Sequence, residues 1–296
     1  MHWQKITLIG VGLLGGSLGL AIKQRRLATR VEGFVRRAAS VAECKKLGVV
    51  DHVTRDLCRA VDHADLVILC TPLAQMRELT ERMLPALKRG SLVTDVGSVK
   101  GDVVKEIGPL VQRAGAYFIG GHPMAGAEKT GPQAARADLF EKAVCVLTPT
   151  ARTPVRPLRQ LTDFWRAVGA QTLQLSPAAH DELVSRSSHL PHLLAAALAN
   201  YVLDPAHGPE QARLCASGFR DTTRIASGSP EMWRDIALAN RDNLSRALAG
   251  YIEDLREFQR ALDAGDARTV KALFAKAKQA RDAWSAGQAA ASPSRE

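Results

Sequence analysis

A histidine between glycine and proline is the side chain in this sequence that is best suited to acid–base chemistry. His122 lies in the stretch Gly121-His122-Pro123-Met124-Ala125-Gly126, directly after an apolar run over 116–120 that predicts a strand. An imidazole titrates near neutral pH, and a hydroxyl group must lose its proton when hydride leaves the carbon that carries it. We therefore interpret His122 as a general base in a glycine-rich loop, where functional residues concentrate.

Two more side chains fit such a reaction. Ser98 follows a predicted strand over 91–96, and it either caps the next helix or faces a bound ligand. Arg224 carries a planar guanidinium group, which matches a carboxylate in two parallel hydrogen bonds. Pairing with a surface acid is the alternative for this arginine.

A further candidate is a group of three histidines, His180, His189 and His192, on one helix predicted over 177–203. His189 and His192 are three residues apart and so share a face, and Asp181 lies on much the same side. Zinc binding is the alternative interpretation, but no cysteine or acidic ligand stands nearby at metal spacing. We therefore expect no metal.

Oxidation of a hydroxyl group needs a hydride acceptor, and the first glycine-rich stretch predicts where it binds. In Gly10-Val11-Gly12-Leu13-Leu14-Gly15 an apolar run breaks at the first glycine and helix-forming residues resume at Leu13. This is the strand, turn and helix order of a dinucleotide-binding loop. The first glycine allows the tight turn, the second lets the backbone approach a pyrophosphate, and the third lets the helix pack on the strand. The phosphates are expected at the N-terminus of that helix.

A second strand, predicted over 30–37, bears on which nicotinamide cofactor is used. Enzymes that use NAD commonly carry an acid at the end of this strand, whereas arginine accommodates the 2′-phosphate of NADP. Val35 occupies the expected acidic position and Arg36 and Arg37 follow it, so the sequence favours NADP+ or the use of both cofactors. A solvated basic turn is the alternative. The residues expected to bind NAD(P)+ are Gly10, Gly12, Leu13, Leu14, Gly15, Arg36, Arg37, Thr71, Pro72 and Ser98.

The elements that must position these residues divide the chain into two halves. Continuous apolar runs, such as 65–70 and 91–96, predict strands buried on both faces, as in a parallel sheet covered by helices. We therefore predict an α/β fold of Rossmann type, with a doubly wound and mainly parallel sheet, over 1–175. Only helical patterns remain over 176–284, which predicts an all-α substrate and dimerisation domain. The tail over 285–296 is expected to be disordered.

The composition is that of an ordinary globular protein, with 296 residues of which 46% are hydrophobic and 24% charged. No apolar run reaches the length of a membrane span and no signal peptide precedes the first strand, so we expect a cytoplasmic protein without a membrane partner. The net charge of +10 suits an anionic cofactor and substrate, and we expect no nucleic-acid partner. Five scattered cysteines without a C-x-x-C pair argue against a disulfide framework.

Taken in order, these motifs resemble those of the prephenate and arogenate dehydrogenase family of tyrosine biosynthesis. The resemblance covers nearly the whole chain up to the tail, and the matching stretches are 10–17, 95–100, 121–126, 188–192 and 219–226. It implies an oxidative decarboxylation that uses NAD(P)+. It also implies that His122 hydrogen-bonds the 4-hydroxyl group of the substrate and draws off its proton, while Ser98 orients His122 beside the nicotinamide.

The resemblance further implies how the substrate is held. Arg224 matches the arginine that grips a substrate carboxylate, and Asp181 matches a residue that supports the histidine cluster. The residues that match positions lining the substrate pocket or its entrance are Glu128, His189, His192 and Trp233. The family pattern favours a homodimer formed through the helical domain.

The sequence leaves alternatives open. Prephenate is favoured as substrate by the basic pocket that His192 and Arg224 suggest, and arogenate, with an amino group in place of the keto group, is the alternative. A dehydrogenase of small hydroxy acids shares the architecture, but it typically uses a lysine that does not stand out over 187–200. A dinucleotide-sensing or nucleic-acid-binding regulator is a more remote alternative that the net charge suggests.

Overall fold

The structure, a computed structural model, describes residues 2–126 and 131–290, with side chains to residue 287. Within these ranges, six strands form a main sheet in which every neighbouring pair is parallel. The strands are β1 (Trp3–Ile9), β2 (Ala28–Phe34), β3 (His52–Thr54), β4 (Leu66–Leu69), β5 (Leu92–Asp95) and β6 (Tyr117–Phe118). Their order across the sheet, β3-β2-β1-β4-β5-β6, is that of a Rossmann fold and confirms the predicted α/β class.

Helices cover both faces of this sheet. Those before residue 176 are α1 (Leu13–Gln24), α2 (Ala38–Leu47), α3 (Leu57–Val61), α4 (Leu73–Met83), α5 (Gly101–Arg113) and α6 (Val155–Ala167). Adjacent residues of a strand point to opposite faces, and Leu8 packs into one apolar cluster while Ile9 packs into a second. Ile68 and Leu69 of β4 divide in the same way. The apolar runs are therefore continuous because both faces are buried.

A second sheet of three strands lies later in the described chain. Its strands are β7 (Gly120–Pro123), β8 (Val144–Thr148) and β9 (Gln171–Gln174), with β7 antiparallel to β8 and β8 parallel to β9. His122 pairs with Val146 in this sheet, so the prediction that His122 lies in a loop is wrong. The segment is a strand because it pairs with β8 along the ladder, which no apolar periodicity of its own reveals.

From residue 177 the described chain is helical. The helices are α7 (Pro177–Val184), α8 (Leu190–Val202), α9 (Pro209–Arg213), α10 (Ser217–Thr223), α11 (Pro230–Ala239), α12 (Arg241–Asp263) and α13 (Ala267–Ala290). The helix predicted over 177–203 contains a π-helical turn, Ser185–His189, between α7 and α8. The helical pattern that the sequence shows after residue 229 is divided at Asn240, whose backbone leaves helical geometry between α11 and α12.

The last helix is longer than the sequence predicts. α13 continues to Ala290, because alanine and glutamine there favour a helix. Disorder of the tail over 285–296 stays a prediction. Residues 291–296 lie outside the described part of the chain. None of the described helices is long and apolar enough to cross a membrane.

Contacts divide the chain into two compact units, Met1–Leu244 and Ser245–Glu296. The first contains both sheets and the helices as far as α11. The second contains most of α12 and all of α13, with Phe258 and Phe274 packed edge to face at 5.5 Å. The boundary that the sequence places at residue 175 stays a prediction.

Candidate active site

The loop between β1 and α1 has the geometry that its glycines predict. Gly10 has a φ of 97°, and a Cβ atom there would lie 2.8 Å from the carbonyl oxygen of Cys70. A Cβ atom on Gly15 would lie 2.0 Å from the carbonyl oxygen of Gly10, so a side chain cannot be accommodated there without movement of the turn. At Gly12 no atom of the described chain lies within 4 Å of the Cβ position. That space is open to a ligand.

These residues fit the diphosphate of a dinucleotide. Gly12 begins α1 without a side-chain cap, so N–H groups of the first turn are available to phosphate oxygens. Leu13 and Leu14 pack partly against the apolar core and hold this end of the helix in place. Thr71 follows β4 beside Gly10, and its buried Oγ1 has no hydrogen-bond partner within the described ranges. A bound NAD(P)+ would offer hydrogen-bond partners to the N–H groups of the first turn of α1 and to Oγ1 of Thr71.

The end of β2 is basic and accessible. Val35 is buried, whereas Arg36 and Arg37 are exposed. Nε of Arg55 donates to the carbonyl oxygen of Arg36 at 3.1 Å, which brings a third guanidinium group to this edge. Pro72, which is also exposed, begins α4 after strand β4, which lies on the other side of β1 from β2. The predicted cofactor residues therefore lie at the carboxyl ends of adjacent parallel strands, where such folds bind ligands.

A buried ion pair lies at the carboxyl end of β5. Asp95 and Lys100 are both fully buried, and Nζ of Lys100 donates to Oδ2 of Asp95. Nζ also donates to the carbonyl oxygen of Gly121 at 2.9 Å, and the N–H group of Gly121 donates to Oδ1 of Asp95 at 3.1 Å. The pair thus joins β7 to β5 and fixes the backbone beside His122.

His122 is buried and belongs to a chain of three hydrogen-bonded side chains. Its Nδ1 lies 2.8 Å from Nε2 of His180, and Nδ1 of His180 lies 2.7 Å from Oδ1 of Asp181. The carboxylate of Asp181 also accepts from the backbone N–H groups of Lys100 and Gly101, each at 2.7 Å. The chain connects β7, α7 and the start of α5.

The surroundings of His122 keep its ring neutral. Burial lowers the pKa of His122 well below its usual 6.5, and the neighbouring His180, Lys100 and His189 lower it further. A neutral imidazole has one nitrogen without a proton, and that nitrogen can accept one. His122 is therefore in the state that a general base requires at neutral pH.

His189 is buried at the end of the π-helical turn and is held by Asn240. Nδ2 of Asn240 donates to the carbonyl oxygen of Asp181 at 2.8 Å and lies 3.1 Å from Nδ1 of His189. Because this amide nitrogen is a donor, Nδ1 of His189 accepts and Nε2 carries the ring proton. Burial lowers the pKa of His189 to about 4, so the ring is neutral. Its buried Nε2 has no hydrogen bond of standard geometry among the residues described, and a contact of the ring with the backbone of Ser98 offsets part of the effect of burial on its pKa.

His192 and Trp233 form an aromatic surface next to His189. The rings of His192 and Trp233 are stacked, with centroids 3.7 Å apart, and Trp233 meets His189 edge to face at 6.2 Å. A Cβ atom on Gly228 would lie 2.7 Å from Nε1 of Trp233, so the absence of a side chain there makes room for the indole. The structure thus brings together three of the residues predicted to line a substrate pocket.

The remaining predicted site residues are Ser98, Arg224 and Glu128. Ser98 is half-buried after β5, and the hydrogen bond on Nδ1 of His122 goes to His180 rather than to Ser98. Arg224 is exposed at the start of the 3-10 turn Arg224–Ser227, which packs against α8. Glu128 lies outside the described residues. Among those that are described, no group of three or more His, Cys, Asp or Glu side chains is arranged to hold a metal ion.

Three residues that build this site are not singled out by the sequence pattern: Asp95, Lys100 and Asn240. His180 is a candidate there, but as a neighbour of His189 and His192 rather than of His122. Asp95 is a charged residue in an otherwise apolar strand, which indicates a buried ion pair, and Lys100 is a cation five residues later. Asn240 is a poor helix former in the middle of a helical pattern, which indicates a tertiary role.

Comparison with known proteins matches two family models. A model described as the nucleotide-binding domain of prephenate dehydrogenase matches residues 18–174, and one described as its dimerization domain matches residues 176–276. Prephenate dehydrogenase of Bacillus subtilis is 36% identical over 97% of this chain and 78% of its own length.

Two solved structures are similar over almost the whole chain. Prephenate dehydrogenase of Aquifex aeolicus, in complex with hydroxyphenyl propionate and NAD+, superposes with a TM-score of 0.87 at 30% identity, covering 95% of this chain and 98% of that one. Arogenate dehydrogenase of Synechocystis superposes with a TM-score of 0.79 at 31% identity, covering 95% and 100%. The similarity therefore extends from the glycine-rich loop to the helical half.

Proposed function

Because this chain belongs to the prephenate dehydrogenase family, we propose that it converts prephenate to 4-hydroxyphenylpyruvate and carbon dioxide, with hydride transfer to NAD(P)+, in L-tyrosine biosynthesis. In this oxidative decarboxylation, hydride leaves the ring carbon that carries the 4-hydroxyl group. The ring carboxylate departs as carbon dioxide, and its bonding electrons complete the aromatic ring. Aromatisation drives the reaction forward.

The observation that supports this proposal best is the buried, neutral His122 beside the carboxyl end of β5. A dehydrogenase must polarise the hydroxyl group from whose carbon hydride departs, and a neutral imidazole does so by accepting its proton. The ring is anchored through Nδ1 to His180, which leaves Nε2 for the substrate. The backbone on its N-terminal side is fixed by the pair of Asp95 and Lys100.

We assign the proton steps to Nε2 of His122. It takes the proton of the 4-hydroxyl group as hydride leaves, and it returns that proton to the phenolic oxygen once the ring is aromatic, so no net proton is released. Bound NAD(P)+ supplies the hydride acceptor. Burial of the base strengthens its hydrogen bond to the hydroxyl group, because the local dielectric constant is low.

The substrate is held by groups around this base. We propose that Arg224 binds a substrate carboxylate and that the buried Nε2–H group of His189 donates a hydrogen bond to the ligand. His192 and Trp233 would form one wall of the pocket. Glu128 stays a prediction for the same pocket.

The cofactor assignment concerns first the class of cofactor and then the choice between NAD+ and NADP+. The glycine loop and the nucleotide-binding family model support use of a nicotinamide dinucleotide. Use of NADP+, or of both cofactors, is our proposal from the exposed Arg36 and Arg37 and the buried Val35. Ser98, half-buried at the next strand end, would lie beside the nicotinamide.

Arogenate is the second candidate substrate, because a solved relative at 31% identity is an arogenate dehydrogenase. The deciding experiment measures formation of reduced cofactor by purified protein with prephenate or arogenate, each with NAD+ or NADP+. We expect the highest kcat/KM with prephenate. A higher kcat/KM with arogenate would identify arogenate, rather than prephenate, as the substrate. No turnover in any of the four mixtures would refute the proposal.

The variant His122→Asn is the matched control for that assay. Asparagine keeps a polar side chain of smaller size but cannot accept a proton, so kcat should fall by about 100-fold or more while cofactor affinity is unchanged. Cofactor affinity is measured by fluorescence titration. Turnover of this variant close to that of the wild type would remove His122 from the reaction.

We further propose a homodimer, since residues 176–276 match a dimerization domain. A cytoplasmic location, and the absence of membrane, nucleic-acid and metal partners, stay predictions.

A further inference from the structure

We propose that His180 is a positioning residue for this reaction: it holds the ring proton of His122 on Nδ1 and so leaves Nε2 as the proton acceptor. The inference deepens the proposed function and rests on it only in identifying the hydroxyl proton that Nε2 receives. The arrangement of the protons themselves follows from the contacts of three buried side chains, His122, His180 and Asp181.

The carboxylate of Asp181 accepts hydrogen bonds on both of its oxygens. Its Oδ1 accepts from the N–H group of Lys100 and its Oδ2 from that of Gly101, both at 2.7 Å at the start of α5. A carboxylate that accepts from backbone N–H groups at a helix N-terminus is stabilised in its charged form. The ring nitrogen that lies 2.7 Å from Oδ1, Nδ1 of His180, must therefore carry a proton and donate it.

The proton on Nδ1 of His180 determines where the ring proton of His122 lies. A neutral His180 that donates from Nδ1 has a lone pair on Nε2. This Nε2 lies 2.8 Å from Nδ1 of His122, so Nδ1 of His122 must be the donor and Nε2 of His122 has no proton. His122 therefore donates to His180, and His180 donates to Asp181.

The opposite arrangement requires one more proton in the cluster. If His180 were doubly protonated, it would donate to Nδ1 of His122, and the proton of His122 would sit on Nε2, where it blocks the base. The groups around the two rings are the buried Lys100 with its partner Asp95, the neutral His189, and Asp181. Asp181 is already bonded to two backbone N–H groups, and the ammonium group of Lys100 opposes further positive charge.

The same chain also serves the charged state that forms during the reaction. When Nε2 of His122 takes the substrate proton, the ring becomes a cation that still donates from Nδ1 to His180. The hydrogen bond from His180 to Asp181 then places an anion at the far end of the chain, and charge-assisted hydrogen bonds of this kind are stronger than neutral ones. His180 touches no reacting atom, and it acts through His122.

Two substitutions separate a positioning role from a structural one. His180→Leu keeps much of the volume but removes both ring nitrogens, whereas His180→Gln keeps a side-chain amide whose oxygen can accept from Nδ1 of His122. We expect kcat to fall by about 100-fold in His180→Leu, with KM for the cofactor unchanged, and to recover to within about tenfold of the wild type in His180→Gln. Thr7→Val is the control, because it removes one buried hydrogen bond, to the carbonyl oxygen of Ala60, far from this chain in the sequence.

The direct readout is the 15N spectrum of histidine-labelled enzyme, in which the shift of each ring nitrogen reports whether it carries a proton. The signals of His122 are assigned by their loss in His122→Asn. We expect an unprotonated Nε2 and a protonated Nδ1 in the wild type and in His180→Gln.

Each outcome of these measurements bears on the proposal. A protonated Nε2 on His122 in the wild type overturns it, and so does a His180→Leu variant with wild-type kcat or a His180→Gln variant no better than His180→Leu. If the wild type turns over neither prephenate nor arogenate, the proposed function fails, while the spectrum still decides the proton order. The spectra of the wild type and of His180→Gln suffice if His180→Leu does not fold.

Discussion

In the proposed reaction, His122 can act as a base only while one ring nitrogen is unprotonated, and this sets how activity should depend on pH. Burial and three neighbouring groups lower the pKa of His122 well below 6.5. The active form exists above that pKa and is lost as pH falls through it. We therefore expect kcat/KM to be constant from neutral pH down to 6.5 and to decline only below that value.

The measurement is a profile of kcat/KM between about pH 5 and pH 8, the range in which an unperturbed histidine titrates. Circular dichroism at each pH serves as the control for folding. A midpoint at or above 6.5 would contradict the burial of the base in the working enzyme.

Arg224 is expected to act on binding rather than on chemistry. Its guanidinium group would hold a substrate carboxylate equally in the ground state and in the transition state, so Arg224→Ala should raise KM by about tenfold or more and leave kcat within a few-fold. The KM of Arg224→Lys should lie between those of the wild type and Arg224→Ala, because lysine keeps the charge but loses the planar pair of donors. Steady-state kinetics with varied substrate measure both constants.

Arg220→Ala is the matched control for this prediction. Arg220 is also exposed and lies on α10, one turn before Arg224, so the two changes remove the same side chain from neighbouring positions. Equal effects of the two substitutions would show that general charge, rather than a specific contact, attracts the anionic substrate.

The first turn of α1 offers a test in which two glycines of one loop give different results. Gly15→Ala places a methyl group 2.0 Å from the carbonyl oxygen of Gly10, so it should lower the melting temperature and abolish cofactor binding. Gly12→Ala meets no atom of the described chain within 4 Å, and its φ of −96° suits alanine. This variant should keep a melting temperature near that of the wild type but bind NAD(P)+ at least about tenfold more weakly.

Thermal melts and fluorescence titration distinguish the two effects. The melting temperature of the Gly12→Ala variant shows directly whether it folds. Gly48→Ala is a second control, because it replaces a glycine of positive φ that is distant from the loop in sequence. Unchanged cofactor affinity in Gly12→Ala would mean that the pyrophosphate does not approach this part of the backbone.

The sequence predicts the elements of the first half well where a local physical rule decides the structure. The turn predicted at Gly10 is confirmed, because it requires a positive φ. In the same way α2 ends at Gly48, because this glycine adopts the left-handed conformation. Buried strands such as β4 are evident because they are apolar throughout.

Elements defined by tertiary contacts could not be predicted in this way. β7 is a strand only because it pairs with β8, and the break at Asn240 places an amide between the carbonyl oxygen of Asp181 and the ring of His189. The contact of His122 with His180 joins residues 58 apart in the sequence. No local periodicity carries this information, so the sequence predicts His122 as the base but does not predict that His180 contacts it.

At the level of the whole molecule, the hydrogen-bonded chain from His122 to Asp181 depends on both halves of the sequence. His122 comes from the sheet region, whereas His180, Asp181 and Asn240 come from the helical region, and all of them lie in the compact unit Met1–Leu244. Asp181, within α7, accepts from the backbone N–H groups of Lys100 and Gly101 and so joins α7 to the start of α5. Cutting the chain near residue 175 should therefore not yield an active N-terminal fragment.

The second unit, Ser245–Glu296, carries exposed apolar side chains that a monomer would leave in water. Leu255, Leu262, Phe274 and Trp284 are 49%, 65%, 65% and 59% exposed. Apolar side chains concentrated in this way on two helices are typical of an interface between proteins. With the match to a dimerization domain, this supports contact with a second copy of the chain.

We expect Leu262→Glu to weaken that dimer. A leucine buried at an interface contributes about 1.5–3 kcal/mol, and a buried carboxylate would cost more, so the dissociation constant should rise at least about tenfold. Gln259→Glu adds the same charge at another exposed position of α12 and should leave the dimer intact. Light scattering after size-exclusion chromatography over a dilution series measures the dissociation. If both variants stay dimeric at the dilution where the wild type does, the interface lies elsewhere than on this part of α12.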